Sequence, residues 1–249
     1  MKNLQFYLTP AAGKKLIAMG VAKRPDVQEA LKKDRIVVIG GTTNVYVANA
    51  LLAEIGSDER VGFPEFHRGV VVPAGAKIEN APFRGDLVID HGKASFEPDL
   101  AAVCESLKDG DIIFKGANAL YLPTMTAGVL IGHMMTGGTV MEATKAVISR
   151  RAKLIMPVGV EKRVDRPLNE LMELCNEPGS SGLRLFSAPG EVFTEIEAAM
   201  VLCGSELDIV GAGGVNGAEG GVYFDARGGD LDALQEIIKE ISGEEKVTV

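Results

Sequence analysis

Ile36-Val37-Val38-Ile39-Gly40-Gly41-Thr42-Thr43-Asn44 decides how the rest of this chain is read. A β-branched run drops into a Gly-Gly-Thr-Thr-Asn turn, and a helical pattern opens at Val45. Strand, glycine turn and helix, in that order, read as an anion site built out of backbone, or as a plain tight turn with Thr43 or Asn44 as N-cap. The first amides of a helix have no intrahelical acceptor, and the helix dipole adds partial positive charge beside them. Glycines let a phosphate or carboxylate approach, and the hydroxyls of Thr42 and Thr43 can donate to it, with Asn44 alongside. A similar unit recurs at Thr136-Gly137-Gly138-Thr139, where the next helix is expected.

Outward from this turn, apolar runs alternate with helical patterns. Thr9-Pro10 reads as an N-cap with proline at the first helical position, and Arg24-Pro25-Asp26 ends that helix and starts another. The pair forms a helical lead-in over 1–33, expected to cover one sheet edge. Strands are expected at 36–39, 70–72, 86–89, 111–114, 129–131, 154–158, 207–210 and 222–225. Helices are expected at 45–55, 98–107, 139–152, 168–174, 189–202 and 231–241. Continuous apolar strands between helices predict an α/β fold. The expected form is a three-layer α/β/α, Rossmann-like arrangement around a mostly parallel sheet covered on both faces. Short connections make one domain over 1–249 the simplest organisation, with an α/β core over 34–249. In such sheets ligands bind beyond the carboxyl ends of strands, where the glycine and polar clusters of this chain fall.

Bulk chemistry narrows the ligand. The 249 residues are 46% hydrophobic and 24% charged, enough for a large buried core. A net charge of −8 and a pI near 5.1 argue against nucleic acid, which needs a clustered basic face. The basic run Ser149-Arg150-Arg151-Ala152-Lys153 sits at a helix end, where it complements the dipole. Aromatics are 5% and tryptophan is absent, so base- or sugar-stacking platforms are not expected. Cys104, Cys175 and Cys203 are odd in number and widely spaced, which fits thiols packed in a reducing cytoplasm. Met1-Lys2-Asn3-Leu4-Gln5 carries no apolar signal core, and no run approaches the ~18 residues of a membrane span. A cytoplasmic protein without membrane contact is expected.

Familiar cofactor loops do not fit. Gly40-Gly41-Thr42-Thr43-Asn44 lacks the Gly-Lys-Ser/Thr ending of a Walker loop, and Gly211-Ala212-Gly213 has Asn216 where the dinucleotide fingerprint needs its third glycine. His67 and His133 have no ligand-like spacing, so no metal and no cofactor are expected.

The candidate site residues lie at the strand ends. Asp90-His91 ends the 86–89 strand and reads as a proton-transfer pair or an exposed turn. Lys115, before Gly116-Ala117-Asn118, is either placed to meet a phosphate or stabilise an enolate, or is a solvated lysine at a sheet end. Gly137, Gly138 and Thr139 offer the second anion cradle, and Gly213 and Gly214 a further glycine-rich turn. Glu219, flanked by glycines, is either a solvated loop residue or a site acid. Glu161-Lys162-Arg163 is an unspecific charge cluster at a strand end, and Glu195 and Glu197, off each other's face, are expected to be largely solvated.

The order of these pieces resembles the superfamily of ribose-5-phosphate isomerase, glucosamine-6-phosphate deaminase, the sugar-sensing domains of DeoR-type regulators and CoA transferases. Its early glycine-threonine turn looks like Gly40-Gly41-Thr42-Thr43-Asn44. Its acidic turn looks like Asp90-His91-Gly92, and its Lys-Gly turn like Lys115-Gly116-Ala117-Asn118. The likeness covers residues 34–165. It implies a small anionic ligand, a phosphorylated sugar or similar, and a homo-oligomer. It also implies isomerisation or another proton transfer, with Asp90 as base and Lys115 as electrostatic stabiliser. The isomerase's acidic turn Asp-Gly-Ala-Asp-Glu is represented here by Asp90 alone, and Tyr121-Leu122-Pro123-Thr124 stands where its catalytic glutamate belongs. That departure keeps open a non-catalytic sensor on the same fold, and acyl transfer of the CoA-transferase kind through Glu219.

Overall fold

The computed structural model describes residues 2–69, 71–77, 81–245 and 247. Strand β1 (Leu4–Leu8) leads into helices α1 (Pro10–Lys23) and α2 (Pro25–Lys33). Strand β2 (Arg35–Val38) is succeeded by α3 (Thr42–Glu54), the hairpin β3 (Asp86–Asp90) and β4 (Lys93–Glu97), and α4 (Leu100–Glu105). Then come β5 (Ile112–Phe114), β6 (Ala119–Tyr121), β7 (Thr126–Ile131), α5 (Thr139–Arg150), β8 (Lys153–Pro157) and α6 (Leu168–Asn176). The chain continues through β9 (Arg184–Ala188), β10 (Glu191–Phe193), α7 (Glu195–Cys203), β11 (Glu206–Ala212), β12 (Val222–Arg227) and α8 (Leu231–Ile241).

The α/β class is as expected, but the strands do not form a mostly parallel sheet. A six-stranded sheet runs β10-β8-β5-β2-β3-β4, and only its β10-β8-β5-β2 part is parallel. β3 turns back antiparallel to β2, and β4 pairs antiparallel to β3. Two smaller antiparallel sheets, β1-β12-β11 and β6-β7-β9, stand apart from it. The short β4, β9 and β10 carry little unbroken apolar sequence, and β6 is three residues long, which is why apolar runs did not reveal them. Val71 and Val72 form no strand, and Val70 lies outside the described residues.

The first 33 residues hold a strand as well as two helices, and α2 packs against the inner strands β2 and β3 rather than a sheet edge. Leu4–Leu8 is a strand paired with Val222–Arg227, joining the two ends of the chain in one sheet. The α1 helix starts at the expected cap, with Thr9 Oγ1 accepting the Ala12 amide at 3.1 Å. It packs between α3 and α7, and Leu16, Ile17 and Val21 are fully buried. One buried cluster runs from Phe6 to Ile241 and takes in the central strands. Among the described residues no helix is long and apolar enough to cross a membrane.

Candidate functional site

The parallel strands β2, β5 and β8 end on the same side of the sheet, and the segments leaving those ends line one cavity of about 900 Å³. Gly40-Gly41-Thr42-Thr43 comes from the end of β2, Lys115-Gly116-Ala117-Asn118 from the end of β5, and Lys162 from the turn after β8. Gly137, Gly138 and Thr139, at the start of α5, complete the polar side. Val129, Ile131, Val140 and Leu183 supply apolar wall. The cavity therefore gathers most of the residues singled out from sequence.

Helix α3 begins at Thr42, earlier than the pattern from Val45 suggested, so Thr42, Thr43 and Asn44 form its first turn. Its N-cap is Gly41 and no side chain caps it. The first-turn amides of a helix without a side-chain cap have no acceptor of their own and point outward along the axis. Helix α5 repeats this arrangement, with Gly138 as N-cap at φ 71° and no capping side chain. A positive φ at both Gly137 (73°) and Gly138 is open to glycine and strained for other residues. Both helices thus begin at the cavity wall, and their dipoles place partial positive charge there.

Thr43 is 2% exposed, and its Oγ1 is buried without a hydrogen-bond partner. A buried unpaired hydroxyl is costly, and here it belongs to a residue of the cavity wall. Asn44, by contrast, serves the fold. Its Nδ2 donates to the carbonyls of Ile39 at 2.7 Å and Phe114 at 3.1 Å, holding the ends of β2 and β5 together behind the cavity. Asn118 Oδ1 accepts the Leu130 amide at 3.0 Å and fixes its loop to β7.

Three cations line the cavity. Arg68 pairs with Asp86, its Nε 3.1 Å from both carboxylate oxygens. Lys115 Nζ donates to the Gly116 carbonyl at 3.2 Å, and Lys162 Nζ to the Ala117 carbonyl at 2.7 Å. Among the described residues neither lysine stands in an ion pair. Burial, and then the charge of Lys162, lowers the Lys115 ammonium to about 8. Burial likewise lowers Lys162, while Glu161 and Glu195 act to raise it.

A second charged cluster adjoins Lys162. Glu195, expected in solvent, is 3% exposed and accepts the Val160 amide at 3.0 Å. Gly13 leaves room for it, since a Cβ there would meet its Oε1 at 2.4 Å. Burial, then the nearby Glu161 charge, lifts the Glu195 carboxyl to about 8. Glu161 in turn lies 3.4 Å from Lys14 Nζ. Glu197 closes a capping box with Thr194.

Several sequence candidates lie elsewhere. Because β3 is antiparallel to β2, Asp90 and His91 fall at the opposite end of the sheet, beside Arg35, whose Nη2 is 2.8 Å from Asp90. His91 (φ 50°) and Gly92 (φ 76°) form the two-residue turn between β3 and β4, the conformation of a tight hairpin. The carboxylate near the glycine turn is Asp86, at the other end of that strand. Glu219, Gly213 and Gly214 belong to the β11–β12 hairpin, where Glu219 Oε2 accepts the Gly217 amide at 2.8 Å, and they do not line the cavity. Of the basic run at the α5 terminus, Lys153 bridges Asp26 and Glu191, both at 2.7 Å. Arg68 and Lys162 carried no sequence signal of their own; the one available cue was position, since Lys162 comes soon after an apolar strand. No family model, curated protein or solved structure matches this chain.

Proposed function

We propose that the cavity binds a small phosphorylated organic molecule of sugar-phosphate size, its phosphate between the starts of α3 and α5. The observation that carries this reading is the convergence of two uncapped helix N-termini with two lysines that, among the described residues, form no ion pair. Helix starts and lysine ammonium groups both favour an anion, and phosphate offers acceptors for all of them. A volume of about 900 Å³ with apolar wall suits an organic body beyond the phosphate. This reading also takes in the expected three-layer stacking, for which contacts of α1 with α3 and α7, and of α4 with α5, are the support.

Calorimetric titration with ribose 5-phosphate, ribose and inorganic phosphate tests it. Ribose 5-phosphate and phosphate bind, ribose does not, and Lys162→Met weakens both at least tenfold. Equal binding of ribose and its phosphate overturns the reading. Binding without turnover is the second reading, favoured by the placement of Asp90 and His91 at the far end of the sheet. It predicts no exchange of solvent deuterium into bound ribose 5-phosphate. Acyl transfer through Glu219 has no comparable support, because that carboxylate is outside the cavity.

A further inference from the structure

We propose that Lys115 is an imine-forming amine. Its Nζ condenses with the aldehyde or ketone carbon of a phosphorylated substrate, and Lys162 is the neighbouring cation that hydrogen-bonds the carbonyl oxygen. The proposal rests on the phosphate-binding reading above and names the substrate class of that site: phosphorylated carbonyl compounds.

An amine nucleophile needs reach, an unprotonated fraction and room for the carbon it attacks. Lys115 leaves the end of β5 directly into the cavity. Its hydrogen bond to the Gly116 carbonyl is one that a neutral amine also makes. Among the described residues no carboxylate forms an ion pair with it, and the pull of Asp86 toward the ammonium form is outweighed by burial and by Lys162. Lys162 differs, because it bonds Ala117 at 2.7 Å and Glu161 supports its charge. Gly116 offers room: a Cβ placed there meets nothing within 4 Å. With Lys115 near 8, roughly a tenth is free amine at neutral pH, against under about a thousandth for an ordinary lysine.

The step balances. The neutral Nζ forms a bond to the carbonyl carbon, and the carbonyl electron pair moves to oxygen, which takes a proton. The attacking nitrogen sheds one proton, the resulting hydroxyl takes up the proton that the ammonium first released to solvent, and it leaves as water as the nitrogen lone pair forms the C=N bond. The net change is ammonium plus carbonyl to protonated imine plus water.

The test is reductive trapping. The protein is incubated with D-glyceraldehyde 3-phosphate or dihydroxyacetone phosphate and sodium cyanoborohydride, digested, and the adducts are mapped by mass spectrometry. Lys115 carries at least tenfold more adduct than Lys33, whose side chain is 68% exposed. Excess inorganic phosphate suppresses that labelling, and D-glyceraldehyde without phosphate labels both alike. Lys115→Gln removes the cavity adduct. Glycerol 3-phosphate, which has no carbonyl, is titrated in parallel. Labelling of Lys115 at the level of Lys33 while glycerol 3-phosphate still binds overturns the imine and leaves the phosphate site standing. Adduct on Lys162 in place of Lys115 overturns the assignment. Loss of both labelling and binding overturns both readings.

Discussion

Asp86 Oδ1 accepts the Gly40 backbone amide at 2.8 Å, tying the first residue of β3 to the turn after β2. Asp86 is fully buried and also holds Arg68 at the cavity wall. Asp86→Ala leaves the Gly40 amide and the Arg68 guanidinium without this partner and destabilises by about 3 kcal/mol. Asp86→Asn keeps an acceptor for Gly40 and removes a negative charge beside the site. It loses less stability and binds inorganic phosphate more tightly than wild type. Urea denaturation and calorimetry measure the two effects separately.

Thr43→Val keeps the shape of the side chain and deletes its buried, unpaired hydroxyl. Removing an unsatisfied group relieves a desolvation penalty, so the variant is more stable by about 1 kcal/mol. Phosphate affinity stays within about twofold of wild type, because the hydroxyl is shielded from the cavity. Lower stability, or a several-fold loss of phosphate affinity, would contradict a shielded hydroxyl without a partner.

Gly40 and Gly41 differ in what a methyl group would meet. A Cβ at Gly40 would lie 2.9 Å from the Phe83 ring, whereas at Gly41 it meets nothing within 4 Å. Gly40→Ala costs about 1–3 kcal/mol through overpacking. Gly41 is extended at φ 172°, so Gly41→Ala folds within about 0.5 kcal/mol of wild type. Its methyl group enters the cavity and weakens phosphate binding at least tenfold. Denaturation and titration of the two variants read this contrast.

Glu195 makes folding depend on pH. Its carboxyl titrates at about 8 when folded, against an ordinary 4.5, so the folded state holds the proton more tightly. The stability it contributes is complete below pH 4.5 and is lost as pH rises through 8. Glu161, Lys14 and Lys162 face the same region, so the effect is read as a difference. Glu195→Gln retains an acceptor for the Val160 amide, and its melting temperature gains on wild type across that window. A flat difference curve from pH 4.5 to 9 contradicts the buried carboxyl.

Much of the polar cradle was legible because glycine turns and helix starts are local signals. Gly40-Gly41-Thr42-Thr43, Lys115-Gly116 and Gly137-Gly138-Thr139 needed only the rule that sites lie beyond strand ends. That same rule misplaced Asp90. The apolar run 86–89 carries no mark of direction, and antiparallel pairing put its first residue, Asp86, by the glycine turn. Glu195 and Lys162 are charged residues whose burial depends on distant neighbours, Gly13 and Ala117. Nothing in their own sequence surroundings separates them from solvated side chains. The strand Leu4–Leu8 was missed for a related reason, since its partner lies at the other end of the chain.

The phosphate site is tested most directly by monitoring backbone amide resonances while inorganic phosphate is titrated into the protein. Amides of Gly41, Thr42 and Thr43 at the start of α3 and of Thr139 and Val140 at the start of α5 should shift together, with one midpoint. Amides of the Asp90-His91-Gly92 turn should stay still. Shifts confined to one helix start, or spread over the surface without saturating, would contradict a single phosphate held between the two.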